Sequence, residues 1–368
     1  MSQYNIEDIS YTVTEYCPGP CRYCSIWKQS DKRSGELTQA ELDSVFSSKH
    51  LNLKKVHLTG GEPHMSDTYF RAVDSIYKYH SDVVIDSPIT GWFPDRHVEV
   101  AEYVLKKHPL YRLDISLDGD EETNAKIRLR KDGFKTSLET IERLKKLKGM
   151  VLRFQFTIYK ENLHLIEWIY NFAKEMGVGL YIGYGRFSSE RYKNTQDNLK
   201  NCPLSKESFF WTDDELRQID EQLIKIGYDK SRYRSKYLLQ KAVYEGQKID
   251  FNCYMGRRNM DIDPYGNVFP CLLWLDYLKL GNIREAGGFD TVLESTQAQQ
   301  VLADIENKRC HPDCLYTCAN KMTLINPEIP AVGMINYGSS KYGYIFSDID
   351  VIKIHPWWYD EYVQRGIL

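Results

Sequence analysis

The 368-residue chain carries 48 basic and 51 acidic residues, for a formal net charge of −3, and 42% of its residues are hydrophobic. This composition predicts a globular protein with a sizeable core, and the length suggests two or three domains. The near-neutral charge gives no global field to attract nucleic acid, and the longest apolar stretch, residues 268–275, is far shorter than a membrane span. We therefore expect a cytoplasmic protein that binds neither nucleic acid nor membrane.

Short β-rich runs alternate with helical patterns in the first half of the chain. Thr38 with Glu41, and Thr136 with Glu139, have the spacing of helix-capping boxes between these runs. Six βα units predict a parallel sheet with helical crossovers, either an open doubly wound sheet or a partial barrel, with the active site at the carboxyl ends of the strands. The predicted strands are residues 8–14, 55–61, 82–89, 112–119, 152–159 and 179–185.

The pattern becomes polar and helical after the sixth predicted strand, where Thr212 and Glu215 have the spacing of another capping box. Further on, five of the nine cysteines and the turn DPYGNV predict a small metal-stapled module. An aromatic-rich tail follows that module. The predicted segments are a barrel (1–190), a helical linker region (191–252), a cysteine-rich module (253–325) and a tail (326–368).

Three cysteines fall in one short loop directly after the first predicted strand. Cys17, Cys21 and Cys24 have the spacing Cys-x3-Cys-x2-Cys within TEYCPGPCRYCSIW. Disulfides are not expected, because the cysteine count is odd and no export signal is present. Thiolates are soft ligands that select zinc or iron–sulfur clusters, and a closed structural site needs four of them. Three thiolates on a cluster leave one iron with an open position.

This spacing, with Tyr23 just before the last cysteine, resembles the radical S-adenosylmethionine (SAM) superfamily. The resemblance implies a [4Fe-4S] cluster on the three cysteines, an open iron that binds SAM, and a partial (β/α)6 TIM-type barrel over roughly residues 5–190. The implied chemistry is reductive cleavage of SAM to a 5′-deoxyadenosyl radical that abstracts a hydrogen atom from substrate. A zinc or electron-transfer protein without SAM chemistry is the alternative.

Two further segments at predicted strand ends support the resemblance. LTGGEP, residues 58–63, resembles the family's Gly-Gly-Glu-Pro segment, which contacts the methionyl amine of SAM. Glycines let a backbone approach a ligand closely, and a glutamate accepts from an ammonium group. SLDG, residues 116–119, lies where relatives place polar SAM contacts. The candidate SAM-binding residues are Tyr23, Gly60, Gly61, Glu62, Ser116, Asp118 and Arg128.

The later cysteines resemble SPASM and twitch domains, which carry auxiliary iron–sulfur clusters. Cys253 and Cys271, with Gly266 between them, match the opening of such a domain and imply a small cysteine-rich α+β fold. Five thiols cannot fully ligate two cubes, so we expect one auxiliary [4Fe-4S] cluster held by these two cysteines and two of the next three. Cys202 is expected to be an ordinary thiol. The remaining candidate ligands are Cys310, Cys314 and Cys318.

The resemblance also bounds the substrate. Twitch and SPASM members oxidise either small polar metabolites, such as sugars and aminocyclitols, or residues of peptides and proteins; a barrel that begins almost at residue 6 favours a small molecule. We therefore expect a radical SAM oxidoreductase that dehydrogenates a small polar metabolite, with flavodoxin or ferredoxin as reductant. Peptide or protein modification, such as maturase or cross-linking chemistry, is the alternative. Candidates for a catalytic base, by position only, are Tyr184, Arg186, Asp261 and Asp263.

Overall fold

The computed structural model describes residues 4–29, 35–108, 111–185, 211–228, 253, 255–271 and 276–307. The strands within these ranges are β1 (Ile6–Thr14), β2 (Leu51–Gly60), β3 (Val84–Ile89), β4 (Tyr111–Ser116), β5 (Met150–Ile158), β6 (Gly179–Tyr184), β7 (Asn259–Ile262), β8 (Asn267–Phe269) and β9 (Gly281–Asn282). They form one sheet in the order β6-β5-β4-β3-β2-β1-β7-β8-β9. Each of the first six strands is parallel to its sheet neighbours among them, which confirms the partial barrel.

Helices connect the strands of the barrel. The α-helices are α1 (Gln39–Phe46), α2 (Thr68–Tyr79), α3 (Pro94–Leu105), α4 (Glu121–Arg128), α5 (Gly133–Leu144), α6 (Ile166–Glu175), α7 (Asp213–Lys225), α8 (Ile283–Ala286), α9 (Phe289–Leu293) and α10 (Thr296–Glu306). Short 3-10 helices span Ile26–Gln29, Pro63–Met65, Leu163–Leu165 and Asp276–Leu278. No helix in the described part of the chain is long and apolar enough to cross a membrane.

Two of the three predicted capping boxes are confirmed. Thr38 caps α1 and Thr212 caps α7, each with the reciprocal glutamate hydrogen bond. The box at Thr136 is wrong, because α5 begins one turn earlier, at Gly133. The Thr136 hydroxyl instead donates to the carbonyl of Asp132, at 3.1 Å, from within the first helical turn.

The two faces of the sheet have different chemistry. On the outer face, Tyr111 contacts Tyr69 of α2, with their hydroxyl oxygens 2.6 Å apart. On the inner face, Arg112 pairs with Asp86, and Arg153 donates to Asp114 with Nη2 2.7 Å from Oδ2. Buried charges persist where opposite charges and hydrogen bonds compensate them. The inside of the barrel is therefore lined by charged and polar side chains, while the apolar core lies between the sheet and the helices.

The cysteine-rich module continues the barrel sheet. β7 pairs in parallel with β1, from Asp8 opposite Asn259 to Tyr11 opposite Ile262, and β8 and β9 add antiparallel strands. Gly266 makes the turn between β7 and β8 with a φ of 87°, a left-handed conformation that favours glycine. Sheet hydrogen bonds, rather than a tether, therefore fix the start of this module against the barrel.

A buried polar network joins α2 and α3 to the outer face of the sheet. His64 Nδ1 lies 2.9 Å from His97 Nδ1, and His64 Nε2 lies 2.7 Å from the hydroxyl of Tyr111. Burial lowers the pKa of His97 to about 3 and the pKa of His64 well below its usual range. Both imidazoles are therefore neutral at neutral pH.

These histidines are expected to make the fold sensitive to acid. An unfolded histidine takes up a proton below pH 6.5, whereas the buried ones do not, so stability is lost as pH falls from 6.5 towards the folded pKa. Each histidine contributes a slope of up to about 1.4 kcal/mol per pH unit. Chemical denaturation between pH 7.5 and 5 should show that the free energy of unfolding falls less steeply with pH in His97→Asn than in wild type. His164→Asn, at an exposed position, should keep the wild-type slope. Equal slopes in all three proteins would contradict the expectation.

Candidate active site

The predicted cysteine loop begins just beyond the carboxyl end of β1. Cys17, Cys21 and Cys24 are all partly exposed free thiols. The loop is tied down locally: the amide of Cys24 donates to the carbonyl of Cys21 at 3.3 Å, and the indole of Trp27 donates to the carbonyl of Cys24 at 2.7 Å. Burial raises the pKa of all three thiols, to about 12 for Cys24. The free thiols therefore carry protons that ligation must release.

The two glycines of LTGGEP pack against that loop. The amide of Gly61 donates to the carbonyl of Thr14, and the amide of Glu62 donates to the carbonyl of Tyr16, both at 2.8 Å. A Cβ at Gly60 would lie 2.5 Å from the Thr14 carbonyl oxygen, and a Cβ at Gly61 would overlap the backbone of Tyr16. The close approach that these glycines permit is thus to the cysteine loop, a contact that the sequence analysis does not foresee.

Glu62 is fully buried directly after these glycines. Its Oε2 accepts from the amide of Thr90 at 2.9 Å and from the Thr90 hydroxyl at 2.5 Å. Its Oε1 is buried and has no hydrogen-bond partner among the described residues. Burial raises the pKa of Glu62 to about 7. A buried acceptor with a missing partner suits a cationic donor such as an ammonium group.

Asp118 and Arg128 form one unit beside the cysteine loop. Arg128 Nε lies 2.6 Å from Asp118 Oδ2, and Arg128 Nη1 lies 3.8 Å from the Sγ of Cys21. Asp118 Oδ1 also accepts from the amide of Thr157 at 3.0 Å. Although burial opposes the charge, Asp118 and Cys21 raise the pKa of Arg128. Arg128 therefore stays cationic, while the carboxylate of Asp118 is already occupied in holding it.

Tyr23 is covered by the segment that follows β5. Its ring stacks on Tyr159 with centroids 3.6 Å apart, and its hydroxyl donates to Glu161. Arg22 pairs with the same carboxylate, with Nη1 3.1 Å from Oε1. Ser116, another predicted SAM contact, is the last residue of β4 and is partly exposed. Tyr23 is thus locked in place by contacts remote in sequence.

Three of the four candidates for a catalytic base lie in the described part of the chain, at the end of β6 and on or next to β7. Tyr184 lies edge-on to Trp211, with ring centroids 6.2 Å apart. Asp261 is buried on β7 opposite Ser10. The carboxylate of Asp263 accepts from the amides of Tyr265 and Asn267, at 2.9 and 2.8 Å, and so serves the β7–β8 turn.

Two of the predicted ligands of the auxiliary cluster lie in the described part of the chain. Cys253 precedes β7 and Cys271 follows β8, and both side chains are partly exposed. Which later cysteines complete the auxiliary site stays a prediction. Outside the described residues lie Arg186, Cys310, Cys314 and Cys318.

The turn after β3 supplies contacts that the sequence analysis misses. Thr90 is the hydrogen-bond partner of Glu62, and Trp92 packs against Gly19 of the cysteine loop. Only the position of this turn could have indicated its role, because it follows a strand at the same edge of the sheet as the cysteine loop, LTGGEP and SLDG. Thr90 and Trp92 belong to no sequence motif that would mark them as functional.

The residues present fit a cluster with bound SAM. The three thiols share one loop, a cation lies against one of them, and a buried carboxylate oxygen awaits a donor. Among the described side chains, no three of His, Cys, Asp or Glu are arranged to hold a single metal ion. The thiols of a cluster loop can bind different iron atoms and need not converge on one point.

Two family models and several known proteins match this chain. The family model described as the radical SAM superfamily matches residues 11–173, and the model described as an iron–sulfur cluster-binding SPASM domain matches residues 253–319. The GTP 3′,8-cyclase of Campylobacter fetus is 25% identical over 309 residues, 82% of this chain and 91% of the relative. The PqqA peptide cyclase of Methylorubrum populi is 26% identical over 267 residues, 70% of this chain and 64% of that relative. The solved structure of anSMEcpe with bound AdoMet has a TM-score of 0.57 at 15% identity, covering 80% of this chain and 79% of the other.

The fold and the cysteine loop define a radical SAM protein. The chain belongs to the radical SAM superfamily and carries a C-terminal SPASM-type domain. Its cofactors are a [4Fe-4S] cluster, SAM and an auxiliary iron–sulfur cluster. The alternative of a zinc or electron-transfer protein without SAM chemistry is therefore wrong.

Proposed function

We propose that this radical SAM enzyme removes a hydrogen atom from a small polar metabolite, such as a sugar or aminocyclitol, in a net dehydrogenation. The observation that carries the proposal is the polar inner wall of the barrel next to the candidate SAM site. Ser116, Gln155 and Tyr181 lie side by side in the register of β4, β5 and β6, and all three are partly exposed. Side chains that point into a barrel yet keep contact with solvent line an open space.

Charged side chains lie deeper in the barrel than these polar residues, and these surroundings favour a hydrophilic substrate. Arg153 lies one inward position deeper than Gln155, pairs with Asp114, and has its guanidinium 5.0 Å from the ring centroid of Tyr181. An apolar substrate would desolvate the partly exposed Ser116 and Gln155 without replacing their hydrogen bonds to water, whereas hydroxyl and amine groups replace them. A sugar-like molecule offers such groups on every side.

The chain's own residues would hold SAM as follows. Cys17, Cys21 and Cys24 hold the cluster, and Glu62 accepts from the SAM ammonium through its unpartnered Oε1. Arg128, held by Asp118, offers a fixed cation for the SAM carboxylate. When bound, the clusters supply the electron that cleaves SAM and an acceptor for the electron that the substrate radical releases. Loss of one hydrogen atom, one electron and one proton balances a two-electron oxidation.

A deuterium-transfer assay tests the proposal. Reconstituted, anaerobic protein is incubated with SAM, reduced flavodoxin and deuterated sugars or aminocyclitols, and 5′-deoxyadenosine is analysed by mass spectrometry. We expect substrate-dependent 5′-deoxyadenosine that carries deuterium, and a product lighter by two hydrogens. Deuterium transfer from peptides alone would overturn the small-molecule proposal, and a product of unchanged oxidation state would overturn the dehydrogenation.

Peptide modification is the second candidate. The similarity to PqqA peptide cyclase over 70% of this chain favours it, while the similarity to GTP 3′,8-cyclase over 82% favours a small, highly polar substrate. The same assay with deuterated peptides separates the two candidates.

A further inference from the structure

Trp92 fills the space beside the middle of the cysteine loop. A Cβ built on Gly19 would lie 2.7 Å from Cζ3 and 3.1 Å from Cη2 of the indole, so the benzene edge of the ring occupies the place of the missing side chain. Gly19 stands between Pro18 and Pro20, within the three-residue spacer that joins Cys17 to Cys21. It does not have a positive φ. The backbone there would accept alanine, and the ring of Trp92 is what excludes it.

The indole is itself fixed from the other side. A Cβ on Gly133, the first residue of α5, would lie 2.8 Å from Nε1 of Trp92, and the guanidinium of Arg130 lies 5.0 Å from the ring centroid. The indole is only 3% exposed, and its N–H makes no hydrogen bond to any described residue. Close packing therefore holds the ring in one position, and the ring in turn restricts the position of the cysteine loop that contacts it.

The backbone that carries Trp92 is also anchored to α5. The hydroxyl of Ser137 donates to the carbonyl of Thr90 at 2.9 Å, and the hydroxyl of Thr140 donates to the carbonyl of Gly91 at 2.7 Å. The same short turn supports Glu62 through Thr90. One element thus supports both the cysteine loop and the carboxylate proposed to bind the SAM ammonium group.

We propose that Trp92 is a positioning residue for the SAM-binding cluster. Its indole fixes the path of the Pro18–Gly19–Pro20 spacer, sets the separation of Cys17 and Cys21, and excludes water from that side of the loop. The space that the indole of Trp92 occupies explains why residue 19 of the spacer is a glycine. The inference concerns cluster binding and is independent of the substrate.

A size-compensation experiment tests this positioning role. Gly19→Ala adds a methyl group against the benzene edge, and we expect this overpacking to lower cluster retention by about tenfold. Trp92→Phe removes that edge, so the double variant Gly19→Ala/Trp92→Phe should recover most of the loss. The measurements are iron and sulfide per chain after anaerobic reconstitution, and the SAM-dependent change in the EPR spectrum of the reduced protein, which separates this cluster from the auxiliary one.

The single variant Trp92→Phe tests the exclusion of water. With the benzene edge gone, we expect the cluster to bleach several-fold faster in air and its midpoint potential to rise, because nearby solvent stabilises the reduced, more negative state. Trp168→Phe is the matched control, since Trp168 stacks on Phe172 of the same helix, with ring centroids 5.0 Å apart. It should leave both values unchanged.

Thermal melting of the apoproteins separates positioning from folding. If Trp92 acts on the loop, the variants should melt within a few degrees of wild type while differing in cluster retention and potential. Failure of Trp92→Phe to rescue Gly19→Ala would overturn the proposal. A wild-type potential and bleaching rate in Trp92→Phe would overturn it equally.

Discussion

Replacing Cys21 by serine should remove the SAM-binding cluster and lower the formation of 5′-deoxyadenosine by more than about 100-fold, since loss of groups that only support a metal ligand already lowers activity 10- to 100-fold. A serine hydroxyl is a hard donor that stays protonated at neutral pH, so it cannot replace a soft thiolate on iron. Cys21 is also the thiol that contacts Arg128, with Sγ 3.8 Å from Nη1. Its loss therefore breaks the link between the cluster loop and the cation proposed to bind SAM.

The measurement is anaerobic SAM turnover followed by mass spectrometry, with iron content determined on the same sample. Cys202→Ser is the matched control, because the sequence predicts an ordinary thiol there, and it should keep wild-type values. Wild-type 5′-deoxyadenosine formation by Cys21→Ser would refute the assignment of Cys21 as a cluster ligand.

The strands could be predicted because their signal is local. Runs of β-branched and aromatic residues mark the barrel strands, and regular alternation with helices implies parallel pairing. The capping boxes at Thr38 and Thr212 are likewise complete within four residues. The error at Thr136 shows the limit of this reasoning. The same spacing occurs inside α5, whose start is at Gly133, where the chain packs against Trp92.

The sequence predicted the cluster ligands of the candidate site, but it did not predict the residues that hold the other site side chains in place. The cysteine spacing is a motif, whereas the hydrogen bond that the amide of Thr157 donates to Asp118 joins residues 39 positions apart. Such a partner depends on the register between β4 and β5, which no short stretch of sequence contains. The same reason hides the pairing of Glu62 with Thr90. The sequence predicts that neighbouring strand ends contact one another, but only the folded structure shows which residues form the contacts.

Each strand end contributes one part of the site because parallel strands present their carboxyl ends at one edge. β1 leads to the thiols, β2 to Glu62, β3 to Thr90 and Trp92, and β4 to Asp118. Contacts between adjacent turns then decide geometry: Thr90 fixes Glu62, and Trp92 packs on Gly19. A change in one turn should therefore alter the function of its neighbour as well as its own.

Glu62→Gln is expected to weaken SAM binding by about 10- to 100-fold and to change its pH dependence. The ionised carboxylate is the form that pairs with an ammonium group, and burial raises the pKa of Glu62 to about 7. Wild-type affinity for SAM should therefore fall as pH drops below 7, and fall again above about 8 as the amino group of SAM loses its proton. The glutamine keeps the hydrogen bond from Thr90 but carries no charge, so the variant should lose the acidic limb and keep the alkaline one.

Equilibrium dialysis of SAM between pH 6 and 8.5 measures both limbs, with Glu99→Gln, an exposed carboxylate of α3, as the control that retains them. Equal SAM affinity of Glu62→Gln and wild type across this range would show that the buried carboxylate does not bind the ammonium group.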